Sequence, residues 1–191
     1  MSNSARGCDI SRCSDTTNFS EISLNLLTEC VDARQCTCRR RAHSSTLENF
    51  LQRHAIDNQK KQLSVTWVAT TRGVPIGYFS LACASIDLTD LTLDEKDGCP
   101  PYDRYPAIMI GKFAVDDRYQ QQGVGPWMME HLYAIIIRLL HLVGCRYIIV
   151  ESKPTSVGLY EKRCRFVNAK TLENGNVLLY KNVITITEAV E

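Results

Sequence analysis

The chain has 191 residues and a mass of 21.6 kDa, the size of one ordinary domain, so a single core is expected rather than a tandem pair. A composition of 45% hydrophobic and 23% charged residues excludes a disordered or fibrous polymer. With 22 Lys and Arg against 21 Asp and Glu the net charge is +1, so a nucleic-acid or membrane partner would have to be met by a local patch.

Residues 1–20 are polar and without periodicity, which predicts a poorly ordered tail ahead of one domain over 21–191. That tail lacks the apolar run of a secretory signal, so the reducing cytoplasm is the expected compartment for a chain with nine cysteines. Cys83 and Cys145 then read as small buried hydrophobes. Cys30, Cys36 and Cys38 with His43 lack the paired Cys-x-x-Cys spacing of zinc sites and read as a Cys-rich polar segment, so no metal is expected.

Ile22, Leu24, Leu26, Leu27 and Val31 predict a first short strand or helix. Ser45 followed by Glu48 has the spacing of a capping box and opens a helix through Leu47, Phe50, Leu51 and Ala55. Residues 65–70 and 76–83, separated by Arg72-Gly73-Val74-Pro75, read as an antiparallel hairpin. Between 87 and 103 stand six acids against the single base Lys96, punctuated by Gly98 and Pro100-Pro101, the signature of a loop. Residues 107–115 form an apolar run fit for a strand buried on both faces.

A polar loop ending in glycines follows, then a helix with Pro126 at its first position and Gly144 just past its end. Residues 146–150 supply a second buried strand, so strand, glycine loop, helix and strand make a βαβ unit with parallel strands. Residues 157–164 form a short helix, and Asn174-Gly175 turns a final hairpin. The apolar stretch over 133–150 is broken by Arg138, His141, Gly144 and Arg146 and is too short and too charged to span a bilayer.

The chemistry concentrates in Gln120-Gln121-Gln122-Gly123-Val124-Gly125-Pro126, between a buried strand and a helix N-terminus. Glycines there let the backbone approach a ligand, and successive N–H groups with the helix dipole favour an anion such as a phosphate. No Gly-Lys-Ser/Thr follows, as a Walker loop requires, and Met128 stands where a dinucleotide fingerprint needs glycine.

Together with Leu159-Tyr160-Glu161-Lys162-Arg163-Cys164-Arg165-Phe166 downstream, and Lys112-Phe113-Ala114-Val115-Asp116 before the loop, this pattern resembles motifs A and B of the GNAT acetyltransferase superfamily. The resemblance implies a mixed α/β fold, a central mixed sheet with two splayed parallel strands flanked by helices. It implies acetyl-CoA as cofactor, its pyrophosphate on the loop amides and its pantetheine arm between the splayed strands beside Phe113, Ala114 and Val115. Tyr160 would protonate the departing thiolate. A thiol of pKa near ~8.5 is a manageable leaving group for a phenol of pKa near ~10. Ala114 and Val115 would offer N–H groups to the thioester carbonyl and its developing oxyanion. Two positions depart from the pattern: Arg165 replaces the usual glycine before the phenylalanine, and Lys153 replaces an asparagine, meeting a phosphate only as a point charge.

Residues 45–61, with Thr66-Trp67-Val68-Ala69 and Ile76-Gly77-Tyr78-Phe79-Ser80-Leu81, are similar to the N-terminal half of GNAT-type toxins of bacterial toxin–antitoxin pairs. That likeness implies acetylation of the α-amino group of aminoacyl-tRNA, an antitoxin protein as partner, and it admits a homodimer. Residues 34–61 carry seven bases against the acids Glu48 and Asp57, a local excess of +5 suited to a tRNA backbone. Arg39, Arg40, Arg41, Arg53, Lys60 and Lys61 are its candidate contacts, with a solvated basic helix face as the plainer reading. No general base is evident, which favours an α-amine, titrating near ~7.7, over a lysine amine near ~10.4. A GNAT acting on a protein N-terminus or small amine, and a silent CoA-binding module, remain as alternatives.

Overall fold

One seven-stranded sheet, in the order β1-β2-β3-β4-β5-β7-β6, organises the chain. A computed structural model describes residues 17–38, 44–97, 100 and 102–187. The strands are β1 (Ile22–Leu26), β2 (Val65–Thr71), β3 (Val74–Asp87), β4 (Arg104–Val115), β5 (Tyr147–Ser152), β6 (Val167–Thr171) and β7 (Val177–Asn182). Every neighbouring pair is antiparallel except β4 and β5, which are parallel as their helical crossover requires. The β2–β3 hairpin turns on Arg72 and Gly73, whose φ values of 50° and 78° match the right-handed twist of the strands on either side.

The helices are α1 (Ser44–Asn49), which runs through a π-helical turn (Phe50–His54) into α2 (Ala55–Lys60), then α3 (Leu93–Asp97), α4 (Val124–Leu140), α5 (Val157–Cys164) and α6 (Ile184–Thr187). On one face of the sheet Phe79, Ile108, Ile110, Ile148 and Leu179 pack with Met128, Leu132 and Ile136 of α4 and Tyr160 of α5. Opposite them Val68, Tyr78 and Ala114 pack with Leu51 and Ala55 of the first helical segment. Tyr78 fixes that segment further by donating from its hydroxyl to the Leu47 carbonyl at 2.8 Å.

Several expectations are corrected. The acidic stretch is not all loop: it contains α3, strapped to the sheet because Glu95 accepts from Tyr147 Oη at 3.0 Å and Asn182 Nδ2 at 2.9 Å. Helix α4 begins two residues before Pro126, which still occupies the first turn, where its missing N–H costs nothing. It ends at Leu140, and Gly144 is not its cap: among the described residues the left-handed glycines are Gly73, Gly123 and Gly175. Burial on its face of β3 stops at Leu81, so Cys83 is exposed, and Cys145 is only half buried. Among the described residues Cys36 and Cys38 are the buried thiols, packed with Leu51 and Tyr78. Residues 17–20 belong to the fold: Phe19–Glu21 is a 3-10 turn capped by Asn18.

Candidate active site

The parallel ladder between β4 and β5 ends at Ile110 and Val150, yet β4 continues to Val115. At that point its register with β3 shifts, pairing Ser80 with Lys112 and Leu81 with Ile110, so Gly111 is an extra residue. A Cβ on Gly111 would lie 3.1 Å from Ser80 Oγ, so glycine suits the bulge. The added residue changes which side chains face α4: Ile108 and Ile110 before it, Phe113 and Val115 after it. Lys112 and Ala114 fall on the other face, where the Lys112 ammonium stands 5.7 Å over the Phe50 ring.

Past Ile110 the β5-facing edge of β4 is open. The Asp116 N–H donates to Ile76 O, so antiparallel alternation turns the Ala114 N–H toward β3 and the Phe113 and Val115 N–H groups toward the open edge. Of the two strand-end amides expected to meet a thioester carbonyl, Val115 therefore faces the opening and Ala114 does not.

The loop after β4 is built on Asp116. Its side chain has no exposed surface and accepts from the Thr37 N–H at 2.7 Å, the Arg118 N–H at 2.9 Å and the Arg118 guanidinium at 2.9 and 3.0 Å. Burial pushes this carboxyl up, but the Arg118 and Thr37 hydrogen bonds prevail and hold it below the usual carboxylate range. Gln120 donates to the Val115 carbonyl at 3.0 Å and to Asp117, so its side chain braces the loop. Gln121 takes φ 64°, and Gln122 donates to Arg118 O and meets Thr17 Oγ1. Gly123 caps α4 at φ 86° with the Phe19 ring against it. Val124 is buried, and Val124 and Gly125 open the helix with first-turn N–H groups that have no intrahelical acceptor, ahead of Pro126, which has none.

A cavity of about 260 Å³ lies between α4 and α5, and Phe113, Gly125 and Pro126 line it. Its walls include Tyr133, Leu159, Arg163, Arg165 and Lys181. Tyr160 lies behind this wall, buried, its ring edge-on to Phe166 with centroids 5.6 Å apart. Among the described residues its hydroxyl has no hydrogen-bond partner, and burial pushes its pKa upward, with the Cys164 thiol adding to the shift. Tyr133 donates to Cys164 O at 3.5 Å and Lys181 Nζ donates to the same carbonyl at 3.1 Å. Tyr133 and Lys181 were not singled out from sequence. Tyr133 follows Pro126 by seven residues, a helical repeat that puts both on one face of α4.

Other expected residues lie around this centre. Lys153 is exposed at the end of β5. Arg53 is exposed and has no ion-pair partner among the described residues, whereas Lys60 pairs with Glu29 at 2.5 Å and Lys61 with Asp57 at 2.8 Å. Arg39, Arg40, Arg41 and His43 lie outside the described residues. Cys38 donates from its thiol to Val115 O at the end of β4.

An open parallel edge, a left-handed glycine before a helix N-terminus and an apolar cavity between two helices together fit a long thioester cofactor with a pyrophosphate, because extended chain, anion and acyl group each find a suited surface. The family model of the Acetyltransferase (GNAT) family matches residues 28–166, and the chain belongs to that family. A tRNA-acetylating toxin of Mycobacterium tuberculosis (strain ATCC 25618 / H37Rv) is 24% identical over 107 residues, 56% of this chain and 63% of the toxin, so less than two thirds of its length is matched. AtaT complexed with acetyl-methionyl-tRNAfMet superposes with a TM-score of 0.77 at 19% identity, covering 89% of this chain and 99% of that one. A tyrosine-to-phenylalanine mutant of KacT gives a TM-score of 0.77 at 20% identity, covering 88% and 99%. A structure described as AtaTR bound with AcCoA gives 0.74 at 20%, covering 90% and 99%. Among the described residues no helix is long and apolar enough to cross a membrane.

Proposed function

We propose that the protein is an acetyl-CoA-dependent N-acetyltransferase that acetylates the α-amino group of an aminoacyl-tRNA and thereby blocks translation, a cytoplasmic toxin with an antitoxin partner. The observation that carries this reading is the β4 edge left open past Ile110, leading straight into the glycine-capped N-terminus of α4. The mycobacterial relative's name and the tRNA-bound state of the AtaT neighbour support the acceptor.

Acetyl-CoA supplies a thioester-activated acetyl group. The amides at the start of α4, beginning with Val124 and Gly125, would hold the pyrophosphate, helped by the positive end of the helix dipole. The outward N–H groups of Phe113 and Val115 would hold the thioester carbonyl and stabilise negative charge on its oxygen. Tyr160 keeps its proton at neutral pH, because burial raises its pKa, and would deliver that proton to the thiolate.

Among the described residues the carboxylates of the loop itself are engaged: Asp116 is committed to Arg118 and Thr37, and Asp117 accepts from Gln120. An aminoacyl ester suits this arrangement. Its α-amine starts near ~7.7 and is lowered further by the ester, so a neutral fraction exists without enzymic help. Arg53, with Arg39, Arg40 and Arg41, would take the tRNA backbone.

Incubation of the purified protein with labelled acetyl-CoA and charged tRNA tests the reading. Label should appear on the aminoacyl group and translation in an extract should stop. Acetylation of peptides or small amines with charged tRNA left untouched would replace it with the general amine acetyltransferase.

A further inference from the structure

The cavity between α4 and α5 joins two sets of donors. Gly125 of the α4 N-terminus lines it, together with Arg163, Arg165 and Lys181. Glu130 is the acid on the same wall, yet among the described residues none of the three cations has an ion-pair partner. Lys181 is half buried, and its one hydrogen bond is to the Cys164 carbonyl. Burial lowers its pKa and nearby Arg165 pushes the same way, against the Cys164 thiol.

A helix C-terminus accounts for one cation, since the last carbonyls of α5 carry partial negative charge. It does not account for three on one small cavity, where they repel one another. Arg165 adds a second anomaly. It follows α5 with φ 56° and ψ 41°, a left-handed conformation that glycine takes freely and a side chain disfavours. The chain keeps a strained arginine where the backbone asks for glycine, and places it on a cavity wall.

We propose that Arg163, Arg165 and Lys181 form a subsite for a phosphate monoester, the 3′-phosphate on the ribose of coenzyme A. The proposal rests on the acetyl-CoA reading above. Coenzyme A carries two anionic groups on one ribose, the pyrophosphate on the 5′ carbon and the phosphate on the 3′ carbon. The N-terminus of α4 suits the first and the cations suit the second, and both line one continuous cavity. An RNA backbone offers similar chemistry, but its diester carries one charge where the monoester carries nearly two. The shared cavity with the α4 N-terminus favours the cofactor.

Calorimetry with coenzyme A and with dephospho-coenzyme A tests this on the full chain. The wild type should prefer coenzyme A by about ten- to a hundredfold, the worth of charge-assisted hydrogen bonds to one phosphate. Arg165→Gly should remove most of that preference while leaving dephospho-coenzyme A affinity unchanged, and because it relaxes the backbone the melting temperature should not drop. Lys181→Met is the second variant and should act the same way. A wild-type preference near one, or a preference that survives both substitutions, overturns the subsite. If cofactor preference survives while salt-dependent affinity for charged tRNA falls, the phosphate is the RNA's and the cofactor assignment is wrong. A wild type that binds neither form takes down the acetyl-CoA reading itself, and the subsite with it.

Discussion

Thr37 and Asp116, 79 positions apart, are joined by a 2.7 Å hydrogen bond from the Thr37 N–H to Asp116 Oδ2, and the Asp117 N–H returns to the Thr37 carbonyl at 2.8 Å. This double link ties the segment before the first helix to the loop after β4. The loop's shape thus depends on a carboxylate that no ligand need touch. Asp116→Asn would set an amide N–H against donors and leave a buried donor without its acceptor, a loss of about 1–3 kcal/mol. For a chain of this size the melting temperature should fall by roughly 2–4 °C per kcal/mol. The Asp116 carboxyl is depressed in the folded state, so its contribution is present above the unfolded carboxyl value near ~4 and fades as pH falls through the folded value. Thermal scans should show the gap between wild type and variant at pH 7 and its narrowing below about pH 4. A gap that widens on acidification would contradict the clamp.

Gly123→Asp and Gly123→Ala separate strain from charge at the loop. Both place a Cβ at φ 86° and 3.0 Å from the Phe19 ring, so both should lose stability alike. The carboxylate alone opposes a pyrophosphate, so the Asp variant should bind coenzyme A at least about tenfold more weakly than the Ala variant, one like-charge contact costing over 1 kcal/mol near a partly buried site. Equal affinities by calorimetry would remove the loop from the phosphate site.

Tyr160→Phe keeps the ring against Phe166 and removes the acid. The rate of thiolate release should drop by ~10² to 10⁴ with acetyl-CoA affinity retained. Because burial raises the phenol's pKa above its ordinary value, the wild-type rate should show no loss of this acid from neutral pH up to about 10. A wild-type rate in the variant would make Tyr160 a packing residue.

Arg53→Glu and Lys60→Glu should differ. Lys60 already faces Glu29, whereas Arg53 has no ion-pair partner among the described residues. If Arg53 meets one tRNA phosphate, its loss should flatten the slope of log affinity against log salt by about one unit, and Lys60→Glu by less. Identical slopes in both variants and wild type would place the RNA elsewhere.

The glycine loop and the α5 motif were legible in sequence because backbone chemistry restricts them: residues between a buried strand and a helix start must be glycine to let an anion near. The hairpin at Arg72-Gly73 and the βαβ order followed from periodicity. The cavity wall was harder. Tyr133 and Lys181 stand on elements whose neighbours are set only by the sheet order, with β7 inserted between β5 and β6. The pairing of Lys60 with Glu29 was hidden for the same reason, since the turn after β1 and the end of α2 meet only in space. Cys83 misled because its place in a strand says nothing of whether a helix covers it.

The extra residue at Gly111 sets the cleft by counting rather than by force. The opening beside β5 stands where β4 carries one residue more than β3, so a ligand entering there needs no prying apart of paired strands. Side chains could be exchanged around it with the gap intact. Deleting Gly111 would be a different injury: Lys112 would follow Ile110 directly in the register it already has with Ser80, so Phe113 and Val115 would keep the α4 face while the bulge itself disappeared and β4 ran on as a regular strand. The gap in this chain therefore hangs on one inserted residue, and a frame-preserving loss of that codon should close it more surely than any single replacement of a side chain in the cavity.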